Sequence, residues 1–301
     1  MEQPLVSVIT ITRNRGNLIG RCVHSVLSQT YKNIEHIIVD GASDDNTDEV
    51  IRSFNDVRIH YVKLDSNWPI ASTYNYGVEM ARGQFITFLD SDDEYKPTKI
   101  EKQLKKLLSL PKDYGMVYCW MTYYDQATMS IVREHKPSVK GNVSKDVVEK
   151  PVVSGTPTYF MRRDTFLESG GWVEQERIGI VSDWELGARL CQKWKVEYVP
   201  ESLVNVYVNN GTIRMSDSGY YYDLLERTVK FEKYFLTEFD NIFEQYPKKA
   251  CSHWYNLTNS LMRLGKFTEA WPYYRNIMKY RHSFRDFLLL PYCISKYLFK
   301  R

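Results

Sequence analysis

Gln84-Phe-Ile-Thr-Phe-Leu-Asp-Ser-Asp-Asp93 is the stretch on which the reading of this chain turns. Apolar, β-prone residues (Phe85, Ile86, Phe88, Leu89) run straight into acids. Successive side chains of a strand face opposite ways, which puts Asp90 and Asp92 on one side and Ser91 and Asp93 on the other. Two carboxylates on one side of a strand's carboxyl end repel each other unless a cation lies between them. Hard oxygen ligands of this kind suit Mg²⁺ or Mn²⁺. The competing reading is a strand followed by a plain polar turn, since Asp and Ser are ordinary turn residues.

Upstream of that stretch, Leu5-Val-Ser-Val-Ile-Thr-Ile-Thr12 has the near-continuous β-branched run of a strand buried on both faces. Asn17 stands where a cap would open a helix with Val23, Val26 and Leu27 inward. Ile34–Asp40 is a second strand ending in an acid, and residues 47–54 read as a short helix. Val57–Val62 is a third strand, and Ala71–Ala81 is a helix stopped by Gly83. Strand and helix alternate, which predicts an α/β fold with a mostly parallel sheet and helices on both faces. Ligands of such sheets bind beyond the carboxyl ends of the strands. Thr12, Asn14, Asp40, Asp90 and Asp92 therefore gather on one rim. No G-x-G-x-x-G follows the first strand and no G-x-x-x-x-G-K-S/T occurs. A phosphate held here has to be neutralised without a glycine cradle, and a carboxylate-bound cation does that.

Downstream, residues 97–110 form an amphipathic helix with a lysine-rich outer face, and Met116–Tyr124 is a strand. Residues 125–151 read as loop-rich with one hairpin. Thr158–Met161, Glu197–Pro200 and Leu203–Val208 are further strand-like runs, and Ser182-Asp-Trp-Glu185 opens a helix. From Tyr220 the pattern is helical. Trp254, Leu257, Leu261, Gly265, Phe267, Ala270 and Tyr274 fall on tetratricopeptide offsets, as one hairpin rather than an array. The division expected is residues 1–219 and a helical C-terminal extension, 220–301.

The chain has 301 residues, 43% hydrophobic and 26% charged, in the range of a soluble globular protein. Five scattered cysteines without metal-ligand spacing read as reduced thiols, which favours a cytoplasmic location. Residues 271–301 hold seven Lys/Arg and one acid, so the rest of the chain is mildly acidic and lacks the basic stripe of a nucleic-acid binder.

Val6–Asn14, Val39-Asp-Gly-Ala-Ser-Asp-Asp-Asn-Thr47, Asn75–Gly83 and Phe88-Leu-Asp-Ser-Asp-Asp93 resemble, in order and spacing, the segments of family 2 glycosyltransferases of the GT-A fold. Gly170-Gly-Trp172 and Asp183-Trp-Glu-Leu186 resemble that family's acceptor-side segment. The resemblance spans residues 5–215. It implies a GT-A Rossmann-like domain and inverting transfer from a nucleotide-diphosphate sugar, a UDP-sugar first, to a hydroxyl of a glycan or lipid-linked saccharide in cell-surface polysaccharide synthesis. It also implies roles. Asp92 holds Mn²⁺ or Mg²⁺; Asp90 and Ser91 meet the ribose and phosphate; Asp40, Thr12 and Asn14 line the base pocket; Asp183 is the general base, with Glu185 in reserve.

Each role has a plain counterpart. Asp40 also reads as the start of the turn at Gly41, and Asp183 as a helix cap. Trp184 reads equally as a ring that stacks on a sugar and as a core side chain. The chain departs from the family twice. Ser182 stands where the family usually has Glu, and Tyr207-Val-Asn-Asn-Gly211 lacks the histidine many relatives carry there. Asn209, Asn210 and Arg214 are the alternative phosphate contacts. The basic, aromatic segment 280–301 has two readings, a peripheral contact with an anionic inner membrane face and a helix packed on the protein. Two other classes compete: a two-carboxylate glycoside hydrolase, which needs neither Asp40 nor a metal, and a non-catalytic glycan-binding or scaffold protein.

Overall fold

The computed structural model describes residues 3–153, 155–179, 182–208 and 221–280. The strands are β1 (Val6–Thr12), β2 (Ile34–Asp40), β3 (Ile59–Lys63), β4 (Phe85–Phe88), β5 (Glu94–Tyr95), β6 (Tyr114–Asp125), β7 (Ile131–His135), β8 (Phe160–Arg162) and β9 (Lys195–Val208). Among the described residues they form one sheet, ordered β3-β2-β1-β4-β8-β6-β9-β5, with β7 paired to β6. The first block, β3-β2-β1-β4, is wholly parallel. Beyond β4 the short strand β8 runs antiparallel to both β4 and β6, while β6 and β9 are parallel.

Both faces of the parallel block are covered. Val6 and Val8 of β1 pack with Ile19, Cys22, Val23 and Val26 of the helix Ile19–Leu27. Ile9 points to the other face, where the helix Ile70–Met80 lies so close that a Cβ on Gly77 would stand 2.7 Å from the Ile9 side chain. Glycine is what permits that approach.

Several local expectations change. The first helix opens with Leu18 at the N-cap and without a side-chain cap, so Asn17 does not cap it. β4 ends at Phe88, and Asp93 N donates to Asp90 O over 3.1 Å, closing a turn. Strand alternation therefore does not reach Asp90–Asp93. The runs 197–200 and 203–208 are one strand, because β6 pairs along all of it; a register shift from Cys119↔Val199 to Trp120↔Ser202 absorbs Pro200 and Glu201. The hairpin expected in 125–151 is β6–β7, followed by a short helix at Ser144–Val147.

The chain divides into two compact units. The first comprises residues 1–147, 151–173 and 186–211 and holds the sheet. The second comprises 148–150, 174–185 and 212–301, so residues 174–185 group with the C-terminal helices rather than with the part of the chain ending at 219. In the second unit the helices Cys251–Arg263 and Phe267–Tyr280 form the expected hairpin around Leu257, Leu261, Ala270, Tyr274 and Ile277. Gly265, at φ +76°, closes the first of them: Gly265 N donates to Met262 O and Lys266 N to Leu261 O. That paired pattern is a Schellman stop, which favours glycine.

Candidate functional site

Thr12 and Asp40 are register partners at the carboxyl ends of β1 and β2. The loops that follow are tied together. Gly41 N donates to Thr12 O, Asn14 N to Ser43 Oγ, Asp44 N to Asn14 Oδ1 and Gly16 N to Asp45 Oδ2, all within 3.0 Å. Asn14 has φ +52°, a left-handed conformation that Asn tolerates better than most residues. Its side chain is thus engaged in holding the second loop.

Asp40 is fully buried. Its Oδ1 accepts from Ser43 N (2.9 Å) and Ser43 Oγ (2.6 Å), and its Oδ2 from the Tyr61 hydroxyl (2.6 Å). Burial and the neighbouring Asp40 carboxylate push the Tyr61 phenol well above its usual range, so it stays a donor. Asp40 therefore does start the turn, through Ser43, and is oriented by Tyr61 as well. Thr12 Oγ1 is buried and lacks a hydrogen-bond partner among the described residues. A buried hydroxyl in that state has an unmet bond to make.

The acidic turn lies at the same end of the sheet. β1 and β4 are in register through Ile9↔Phe88, and Leu89 N donates to Ile9 O at 3.0 Å. Asp90 Oδ1 accepts from the Tyr74 hydroxyl at 2.8 Å. Asp90 and Asp92 are half-buried, and Ser91 and Asp93 are buried. Asp93 Oδ1 accepts from Tyr207 N at 3.0 Å, which brings the end of β9 to the turn. Burial, then the Asp90 and Asp92 charges, hold the Asp93 carboxyl well above the usual carboxylate range. Arg21 is the nearby cation: it donates to the Asp92 backbone carbonyl and lies 3.5 Å from the centre of the Tyr207 ring.

Three carboxylates, Asp90, Asp92 and Asp93, share this one turn. Asp90 and Asp92, with hard oxygen donors and partial exposure, fit a divalent cation of the Mg²⁺ or Mn²⁺ type. Among the described residues no group of three or more His, Cys, Asp or Glu side chains forms a ready cage. Asn209, Asn210 and Arg214 fall outside the described residues. His24, with Ser28, and His60, with Arg82, are engaged in local bonds.

The segment containing Asp183 belongs to the second unit. Asp183 is exposed and is the first residue of the helix Asp183–Lys193. Glu185 N donates to Ser182 Oγ at 3.4 Å, so Ser182 occupies the capping place. Glu185 is buried and accepts from the Tyr234 hydroxyl at 2.8 Å. Trp184 packs against Phe235 (ring centres 4.8 Å apart) and stacks on His253 (5.3 Å). Of its two readings the core one matches this geometry. In the first unit, Asn75 clamps Trp172: its Nδ2 donates to Trp172 O and its Oδ1 accepts from Trp172 N, both at 2.9 Å.

Tyr61, Tyr74 and Arg21 were not legible as site residues. Tyr61 and Tyr74 lie one or two elements from their partners and Arg21 lies 71 positions from Asp92, and a lone Tyr or Arg in a strand or helix carries no local mark. Ser43 was legible in principle, because Asp and Ser are both turn residues whose short side chains bond nearby backbone or each other across a tight turn.

Comparison with known proteins adds an independent line. The family model for glycosyl transferase family 2 matches residues 7–171. A putative teichuronic acid biosynthesis glycosyltransferase, TuaG, of Bacillus subtilis (strain 168) is 44% identical over 108 residues, 35% of this chain and 43% of that protein. WfaP of Escherichia coli, a UDP-Glc:alpha-D-GlcNAc-diphosphoundecaprenol beta-1,3-glucosyltransferase, is 43% identical over 100 residues, 33% of this chain and 40% of WfaP. The chain thus matches less than half the length of either relative. Residues 1–349 of S. aureus TarS, solved with UDP-GlcNAc, share the fold with a TM-score of 0.68 at 16% identity, over 97% of this chain and 88% of that one.

Proposed function

Because the chain belongs to glycosyl transferase family 2, we propose that it transfers a sugar from a nucleoside-diphosphate donor to a hydroxyl of a saccharide acceptor, with inversion at the anomeric carbon. The observation that carries this reading is the rim itself. The Thr12 hydroxyl, unpartnered among the described residues, the oriented Asp40 carboxylate and the acidic turn Asp90–Asp93 lie at the carboxyl ends of three adjacent parallel strands.

In this reading Asp40 and Thr12 receive the base, with Asn14 holding the loop beneath it. Asp90, oriented by Tyr74, and Ser91 meet the ribose and the diphosphate. Asp92 holds a divalent cation, which when bound supplies Lewis-acid neutralisation of the leaving diphosphate. Asp183 takes the proton from the attacking hydroxyl. Glu185, buried under Tyr234, positions that helix start and is not the base. UDP is the favoured nucleotide and a diphospholipid-linked saccharide the favoured acceptor, supported by what WfaP uses and by the UDP-GlcNAc bound to TarS. The basic segment 280–301, of which 281–301 lies outside the described residues, is proposed to touch an anionic membrane face; deletion of 283–301 with unchanged fractionation would refute it.

The deciding experiment is a donor-hydrolysis and binding screen over UDP-, GDP- and dTDP-sugars, with and without Mn²⁺. Metal-dependent turnover of a UDP-sugar is the result expected. Absence of turnover and binding for every nucleotide sugar would overturn the reading.

A further inference from the structure

The second unit contains a cleft that none of the proposed roles uses. Arg177, Lys230, Lys233, Tyr234, Thr237 and Glu238 line an open surface cleft of about 360 Å³. Five of these six come from the helix Tyr221–Glu238 at offsets of three, four, seven and eight residues, which is a single stripe along one face. Three cations and one carboxylate line the cleft. Arg177 reaches Glu238 only at 3.6 Å, and its side chain is 66% exposed. Its guanidinium also lies 5.3 Å from the centre of the Tyr234 ring. Lys233 is paired outward with Glu269. Lys230 has no ion-pair partner among the described residues.

Two lysines one turn apart on a helix repel each other, with an arginine facing the same space. Among the described residues Lys230 is left as the unmatched cation of a cleft that the Tyr234 ring lines. The planar fork of Arg177 suits a tetrahedral oxyanion, and the lysines add point charges. Tyr234, the wall, is also the residue that donates to Glu185, two positions after Asp183. An anion in this cleft is therefore one side chain away from the helix start assigned to the acceptor.

We propose that the cleft binds a phosphate or diphosphate group, and, resting on the transferase reading above, that this group is carried by the acceptor. The transferase then recognises the anionic linker of its acceptor through Arg177, Lys230 and Lys233, and the sugar hydroxyl near Asp183.

Calorimetric titration of the full chain with inorganic pyrophosphate in EDTA tests the site. Wild type binds; the double variant Arg177→Ala/Lys230→Ala binds about a hundredfold more weakly, since each of the two lost charged contacts is worth about tenfold. UDP affinity stays the same, which shows the sheet-bearing unit intact. Should the double variant lose UDP binding as well, the single variant Lys230→Gln, at an exposed position, is read in its place. Phosphatidylcholine vesicles with and without phosphatidylglycerol separate the sources. Pyrophosphate-competed vesicle binding assigns a lipid headgroup, and its absence assigns a saccharide-borne phosphate. Equal pyrophosphate affinity in wild type and variants overturns the proposal. The titration needs no catalysis, so a chain that binds pyrophosphate but neither binds nor turns over any nucleotide sugar refutes the transferase reading and leaves the site standing.

Discussion

The Tyr61 hydroxyl donates to Asp40 Oδ2 across 2.6 Å, from β3 to the end of its neighbour β2. It is the contact that turns a buried carboxylate from a turn-former into an aimed acceptor. Tyr61→Phe deletes it and strands one charged oxygen. The loss expected is about 1–3 kcal/mol of stability, as for a hydrogen bond to a buried charged group. Nucleotide affinity falls with it. Urea unfolding and UDP titration check both, and a variant unchanged in either respect contradicts the role given to Asp40.

Asp92 carries the cation in the proposed chemistry. Asp92→Asn keeps the shape of the turn and removes the charge. Metal-dependent transfer then drops by about a hundredfold or more, equivalent to several kcal/mol of lost charge stabilisation. Thermal unfolding without metal is unchanged or improved, because one member of a crowded acidic turn is gone. Full activity of the variant in Mn²⁺ would remove Asp92 from the site.

Lys99 is wholly buried, donates to Thr87 Oγ1 at 2.7 Å and lies 3.9 Å from the centre of the Tyr95 ring. Burial lowers its ammonium to about 7. The unfolded chain holds that proton up to the ordinary lysine range near 10.4. Between about pH 7 and that range the unfolded state binds more protons, so stability rises with pH there and is flat below. Lys99→Met removes this slope and adds up to about 4 kcal/mol at neutral pH. Urea midpoints at two pH values in that window, for both proteins, measure it. Parallel slopes would show that Lys99 titrates normally.

Gly171 has φ +68°, and a Cβ there would stand 2.7 Å from Asn75 Oδ1. That oxygen is the acceptor for Trp172 N. Gly171→Ala therefore strains the backbone and opens the Asn75–Trp172 clamp, at a cost of about 1–3 kcal/mol. Differential scanning calorimetry should register it, with a parallel loss when Asn75→Ala opens the same clamp from its other side. An unshifted melting temperature would mean that the loop relaxes freely.

The parallel block was readable because its strands bury both faces: Val6–Thr12 is mostly β-branched, and Ile34–Asp40 keeps the apolar run Ile37-Ile38-Val39 before its terminal acid. Element ends were less so. Nothing local distinguishes Leu18 from Asn17 as the first cap, and the apolar Leu89 extends the pattern of β4 past the point where its pairing stops. The rim residues were placed by element order alone, since carboxyl ends of parallel strands share a side. What holds them was out of reach. Tyr61, Tyr74 and Arg21 act on Asp40, Asp90 and Asp92 at separations of 21, 16 and 71 positions. Trp184 shows the same limit: its neighbours Phe235 and His253 come from a part of the chain with no sequence link to it.

The second unit recruits residues 174–185 from within the length of the first, and this bears on how the protein can be cut. A stop at residue 219 follows the visible change from mixed strands to helices. It would also strip Trp184 of Phe235 and His253, and Glu185 of the Tyr234 hydroxyl, leaving a buried acid and a large ring exposed together. Shortening at that boundary is a core lesion in disguise, and chimaeras spliced there would exchange the support of the Asp183 helix along with the tail.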